Sequence, residues 1–239
     1  VYYILPSKWR WALLLAASVL YYISFIPAFL AVIAALVLLN YAISRSLAVT
    51  KTGKGNLKLA LIIFSNLVVL AFFKYFSLVF PDIGIHLYNV DLFYKVNPVY
   101  MLVLPLGLSY IVFTVLSYQI DIRRKTIEPV NHLGYFSLYL LFFPKIAQGP
   151  IERPQKFIPQ LYQNHPFGYE NIAEGFKMII IGYFKKLVVA DRLAIYVNAV
   201  YNNSEHHKGI ALLLATLFFA FQIYADFSGY TDIAIGSAK

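Results

Sequence analysis

The chain is 239 residues long, 60% apolar and only 13% charged, with a mean hydropathy of +0.67. These values exclude an ordinary soluble domain, where about a quarter of residues carry charge. The lack of cysteine excludes disulfides, thiolate nucleophiles and sulfur-ligated metals, and the net charge of +9 sits in short clusters between apolar runs, which predicts a lipid bilayer and no nucleic acid as the partner.

The chain opens on Val1 inside an apolar tail that does not resemble a cleaved signal peptide, and it reads as a piece of a longer protein. No charge occurs between Arg10 and Arg45. A single helix of that length would run about 50 Å against a hydrocarbon core of about 30 Å, so the chain must fold back. Pro27 is the natural reversal, giving spans near 11–25 and 28–44. Arg45, Lys51, Lys54 and Lys58, with Gly53 and Gly55, predict a cytoplasmic loop before a third span at 59–80. Lys74 lies near the outer end of that span among Phe72, Phe73, Tyr75 and Phe76, where snorkelling into an aromatic belt accounts for it. Asp82, His86 and Asp91 suit an external segment at 81–95. A fourth span is expected at 99–120, kinked at Pro105 and Gly107. Asp121, Arg123, Arg124, Lys125 and Glu128 then return the chain to the cytoplasm.

Only eleven apolar residues, 133–143, precede Pro144 and Lys145, about the length of a re-entrant segment. Two readings follow for the next stretch. In one, a half-crossing turns at Pro144, passes Gln148, Gly149 and Pro150, and leaves by Glu152 and Arg153, lining a polar cavity with backbone that proline has freed. In the other it is a tight surface loop carrying a Glu152–Arg153 pair. Residues 157–167 read as interfacial, with His165 in a loop. The segment 172–189 carries Glu174, Lys177, Lys185 and Lys186, and helical spacing places Lys177 and Lys185 near one side, either in the interface or on a short crossing. His206 and His207 are adjacent, share no helical face and lack a third ligand, so no metal site is expected.

The last apolar run, 209–225, leads into Asp226-Phe-Ser-Gly-Tyr-Thr-Asp232. Two carboxylates with the hydroxyls of Ser228, Tyr230 and Thr231 at such a place form a functional hypothesis by default, able to hold a substrate or a cation or to orient a base. Equally, Asp226 or Ser228 could cap a following helix. With no internal repeat, one membrane domain over 1–239 is expected. Its predicted fold is all-α: a polytopic helical membrane protein with short re-entrant and interfacial helices. Lys145, Gln148, Arg153, Gln222, Asp226, Ser228, Tyr230 and Asp232 are the candidate lining of a substrate path.

Three blocks, LPLGLSYIVFTVLSYQIDIRR, FFPKIAQGPIERPQKFIPQL and FQIYADFSGYTDIAIG, occur in the order found in the membrane-bound O-acyltransferase family. The chain resembles its bacterial branch that acetylates alginate, other polysaccharides and peptidoglycan. The resemblance implies a multi-pass protein of the bacterial cytoplasmic membrane, built around a funnel or tunnel. It also implies movement of acetyl from cytoplasmic acetyl-CoA, as donor substrate and not bound cofactor, to hydroxyls of an extracytoplasmic polysaccharide. An extracytoplasmic acyl-accepting transferase is an implied partner. Lys145 and Arg153 are expected to meet the donor's phosphates, and Asp226 and Asp232 to hold the polar end of the path. The family's catalytic histidine lies in a Trp-His-Gly block that this chain does not contain, so no catalytic role is carried onto His86, His132, His165, His206 or His207. The piece alone is expected to be inactive. A transporter or a non-catalytic membrane scaffold are the alternatives, the first of which would predict an internal repeat.

Overall fold

The computed structural model describes residues 2–25, 27, 29–50, 52–79, 93–96, 99–102, 105–146, 149–164 and 166–239; Lys51, Asp82, His86, Asp91, Gln148 and His165, singled out above, lie outside them. The chain divides into two compact units, Val1–Ala147 with Ile151–His165, and Gln148–Pro150 with Pro166–Lys239. Helix dominates both. Three helices, Phe29–Ala48, Gly55–Phe76 and Ile210–Ala238, are long and apolar enough to cross a membrane. The protein is an all-α membrane protein.

In the first unit α1 (Ser7–Ile23) and α2 (Phe29–Ala48) flank the reversal at Pro27, whose carbonyl accepts from the Leu30 amide at 3.0 Å. The next helix, α3 (Thr52–Val79), starts inside the basic stretch that the sequence predicted as loop. Tertiary packing overrides the low helix propensity of glycine there. A Cβ on Gly55 would lie 2.7 Å from the Arg123 guanidinium carbon, and Arg123 Nε donates to Asn56 Oδ1 at 2.9 Å.

The fourth span does not begin at Val99. Residues Val99–Leu102 (β2) pair antiparallel with Phe93–Val96 (β1), Phe93 opposite Leu102, and the helix α4 runs only over Leu108–Arg123. Gly107, at φ +66°, is the reason: that left-handed conformation cannot sit inside a right-handed helix, so Pro105 and Gly107 precede α4 instead of kinking it. A Cβ at Gly107 would lie 2.5 Å from the Ile146 carbonyl oxygen, so the glycine also admits the backbone at Ile146.

The helix α5 (Leu133–Leu141) has nine residues, about 14 Å, less than half of the hydrocarbon core. It breaks at Phe142 into the four-residue α6 (Phe143–Ile146), and Pro154–Gln160 forms α7. The amide of Phe143 is freed by this break and donates to Ser18 Oγ of α1 at 3.1 Å. A broken helix in an apolar setting needs such a partner. Around these elements Tyr22, Phe29, Ile33, Ile111, Val115, Phe136, Tyr139 and Phe157 form the apolar core.

In the second unit α8 (Tyr169–Tyr183) continues through a π-helical segment, Phe184–Ala190, into α9 (Asp191–Tyr201). The helical rod therefore runs well past the expected end at 189. After a 3₁₀ turn at Ser204–His206 comes α10 (Ile210–Ala238), which passes straight through Asp226–Asp232. The capping reading of Asp226 and Ser228 falls with it, since both stand in a helix interior.

Two glycine pairs seven residues apart bring α8 and α10 together. A Cβ on Gly182 would lie 2.6 Å from the Gly229 carbonyl oxygen, and one on Gly175 would lie 2.6 Å from that of Gly236. Small residues at regular spacing let helix backbones touch, the usual means of pairing helices in lipid.

Candidate functional site

The predicted site residues that the structure describes fall into two clusters, one in each unit. In the first, the bend after α5 places Lys145 where only 4% of its surface is exposed. Its Nζ stands 3.6 Å from the Phe157 ring centroid, 5.0 Å from Tyr139 and 5.9 Å from Phe142, with Glu152 Oε2 at 3.6 Å. No oxygen lies within hydrogen-bond distance of this ammonium among the described residues. Aromatic faces and one carboxylate therefore take the place of water around it. Tyr139 Oη also donates to the Glu152 carbonyl at 3.0 Å, tying α5 to the far side of the bend.

Arg153 does not pair with Glu152, as the surface-loop reading required. Its Nη1 lies 3.6 Å from Asp121 Oδ2 and donates to Ser117 Oγ at 3.3 Å, while Gln155 Nε2 donates to the same Asp121 oxygen at 2.9 Å. The Asp121 side chain is 6% exposed and that of Arg153 64%. Sequence reasoning placed Asp121 in a cytoplasmic charge run; α4 buries it because Gln155 and Arg153 supply donors. Two of the blocks noted in the sequence thus meet in one unit, through Gly107 with Ile146, Ser117 with Arg153, and Asp121 with Gln155.

Sequence reasoning also missed a buried amide cluster. Asn40 and Asn66 exchange hydrogen bonds at 3.1 Å and Gln119 Nε2 donates to Asn40 Oδ1 at 2.8 Å, joining α2, α3 and α4. A lone amide in each of three apolar runs was the available signal. His132 is structural: it caps α5, its Nδ1 accepting from the Tyr135 amide at 3.3 Å, and its ring packs on Trp11 and Tyr135.

The second cluster is built on the α8–α10 crossing. Lys185 Nζ donates to Ser228 Oγ at 2.9 Å and Asp232 Oδ2 at 2.5 Å. Lys186 Nζ reaches Asp226 Oδ1 at 2.6 Å and Asp191 Oδ1 at 2.9 Å, with the Tyr230 ring centroid at 5.6 Å. Asp226, Ser228, Tyr230 and Asp232 are therefore gathered as one group, and Gln222 stands one turn before Asp226 on the same helix. Lys185 was predicted to share a side with Lys177, which is instead exposed. Its true companion is Lys186, a pairing that ordinary helical spacing does not suggest.

The chain is similar to known proteins over 99% of its length. It is 32% identical over 241 residues to the probable alginate O-acetylase AlgI of Azotobacter vinelandii, covering 99% of this chain and 47% of that protein. That relative is a membrane-bound O-acyltransferase. The peptidoglycan O-acetyltransferase of Helicobacter pylori is 27% identical over 97% of this chain and 47% of its own length. The teichoic acid D-alanyltransferase of Bacillus subtilis is 28% identical over 59% of this chain and 36% of its own length. The chain spans about half the length of the curated relatives it matches, and no protein-family model matches it.

Proposed function

We propose that this chain is part of a multi-pass O-acyltransferase of the bacterial cytoplasmic membrane, which moves acetyl from cytoplasmic acetyl-CoA to hydroxyls of an extracytoplasmic polysaccharide. In that reaction a thioester C–S bond breaks and an ester C–O bond forms, and the hydroxyl proton passes to the departing thiolate. The observation that carries the reading is similarity along 99% of the chain to an alginate O-acetylase. Polar groups set within apolar helices support it, because ionisable side chains at such places are expensive and mark substrate routes.

Within this reading the two clusters divide the work. Arg153, the more exposed cation of the first cluster, meets a donor phosphate. Lys145 holds the shape of the bend beside it, and Gln148 belongs to the same stretch of path. Gln222, Asp226, Ser228, Tyr230 and Asp232 form the polar lining that receives the hydroxyl acceptor. An extracytoplasmic transferase that accepts the acyl group is the expected protein partner. The test uses membranes carrying the full-length protein, supplied with radiolabelled acetyl-CoA and polysaccharide. Label is expected in alkali-labile esters on the glycan and is expected to fall at least tenfold in Asp226→Asn. Absence of labelled ester with the wild-type protein would overturn the reading.

A further inference from the structure

Two consecutive lysines hold two different carboxylates on the facing helix. In a regular α-helix adjacent side chains diverge by about 100°, so consecutive residues do not normally engage the same neighbouring element. Here they lie in the π-helical segment Phe184–Ala190, and Lys185 takes Ser228 and Asp232 while Lys186 takes Asp226 and Asp191. A π segment closes i→i+5, and Asp191 stands five residues beyond Lys186. The backbone contact lies directly beneath them: a Cβ on Gly229 would be 3.1 Å from the Lys186 nitrogen and 3.3 Å from the Lys185 Cβ. Glycine contact, π segment and ion pairs thus form one device.

The two lysines are not equivalent. Ser228 and Asp232, the partners of Lys185, flank Gly229 on α10, whereas Asp226 lies one turn after Gln222, at the other end of the acceptor lining. Lys186 divides its ammonium between that carboxylate and Asp191, whose side chain is 46% exposed. We infer that Lys186 is a positioning residue: bridging Asp191 and Asp226 across the Gly182–Gly229 contact, it holds the Asp226 carboxylate in one orientation to accept a hydrogen bond from the acceptor hydroxyl. This rests on the acyltransferase reading. The π segment is what lets Lys186 do so while Lys185 fastens the same helix through Asp232.

The experiment measures acetyl transfer by the full-length protein in membranes, varying acceptor and donor separately. Lys186→Met is expected to raise KM for the acceptor about tenfold, the weight of one hydrogen bond to a charged group, with KM for acetyl-CoA unchanged. Lys186→Arg is expected to restore most of the loss. The exchange K186D/D226K separates positioning from mere fastening, because it rebuilds the ion pair but moves the carboxylate to the other helix. It is expected to recover the folded yield and thermal stability of the wild type but not its KM. An exchange variant with wild-type KM would overturn the inference, as would a Lys186→Met protein with unaltered kinetics. A wild-type protein that transfers nothing overturns the acyltransferase reading and the inference together; an active wild type with either of the other results overturns the inference alone.

Discussion

The two units place cations among apolar residues in opposite ways. In the first, short and broken elements surround Lys145 with three aromatic rings, and its carboxylate stays 3.6 Å away. In the second, long helices touch through glycine, and Lys185 and Lys186 meet oxygens at 2.5 to 2.9 Å. A bend leaves room for rings to pack over an ammonium, and cation–π attraction then substitutes for a close counter-ion. A glycine crossing brings the backbones too close for rings to enclose the ammonium groups, the Tyr230 ring standing 5.6 Å from Lys186, so the charges themselves meet. The first arrangement depends on side-chain volume, the second on the lack of it.

That contrast can be broken from either side. The largest effect is expected for Phe157→Ala, which removes both a core ring and the nearest partner of Lys145: about 3 to 5 kcal/mol of stability lost, read from thermal unfolding of the purified protein. Next, Gly182→Ala should cost about 2 to 3 kcal/mol, because its Cβ would meet a backbone oxygen that cannot rotate away, and unfolding of α8 from α10 should appear first in hydrogen exchange. Asn40→Leu, which strands the amides of Asn66 and Gln119, should lower stability by about 1 to 2 kcal/mol, with Asn66→Leu added on top costing much less than alone. Smallest is Arg153→Ala, where a 64% exposed side chain at 3.6 Å from Asp121 should change stability by no more than about 0.5 kcal/mol in the same thermal assay. Equal losses for Phe157→Ala and Glu152→Gln would show that Lys145 is held by its carboxylate as much as by the rings.

Local chemistry made several features legible in advance. The charge-free run from Arg10 to Arg45 had to reverse near Pro27, and the eleven apolar residues before Pro144 were too few for a full crossing; α1, α2 and the nine-residue α5 agree. Misplaced boundaries share a cause. Helix starts at Thr52 and Leu108, and continuation of α10 past Ala225, depend on Arg123 beside Gly55, Ile146 beside Gly107, and lysines facing Asp226 and Asp232. Each contact joins residues distant in sequence, so no local window contains it. The surface-loop alternative, which paired Arg153 with its neighbour Glu152, fails for the same reason, since the carboxylate Arg153 meets is Asp121.

Composition by itself determined that this is a helical membrane protein, because hydrophobic length is written along the chain, and the succession of three blocks carries its resemblance to the O-acyltransferases. Only the tertiary structure decided which charges neutralise which. A membrane helix tolerates an ionised group when some other element brings it a counter-charge or an aromatic face, and that supply is a property of packing across the chain, not along it.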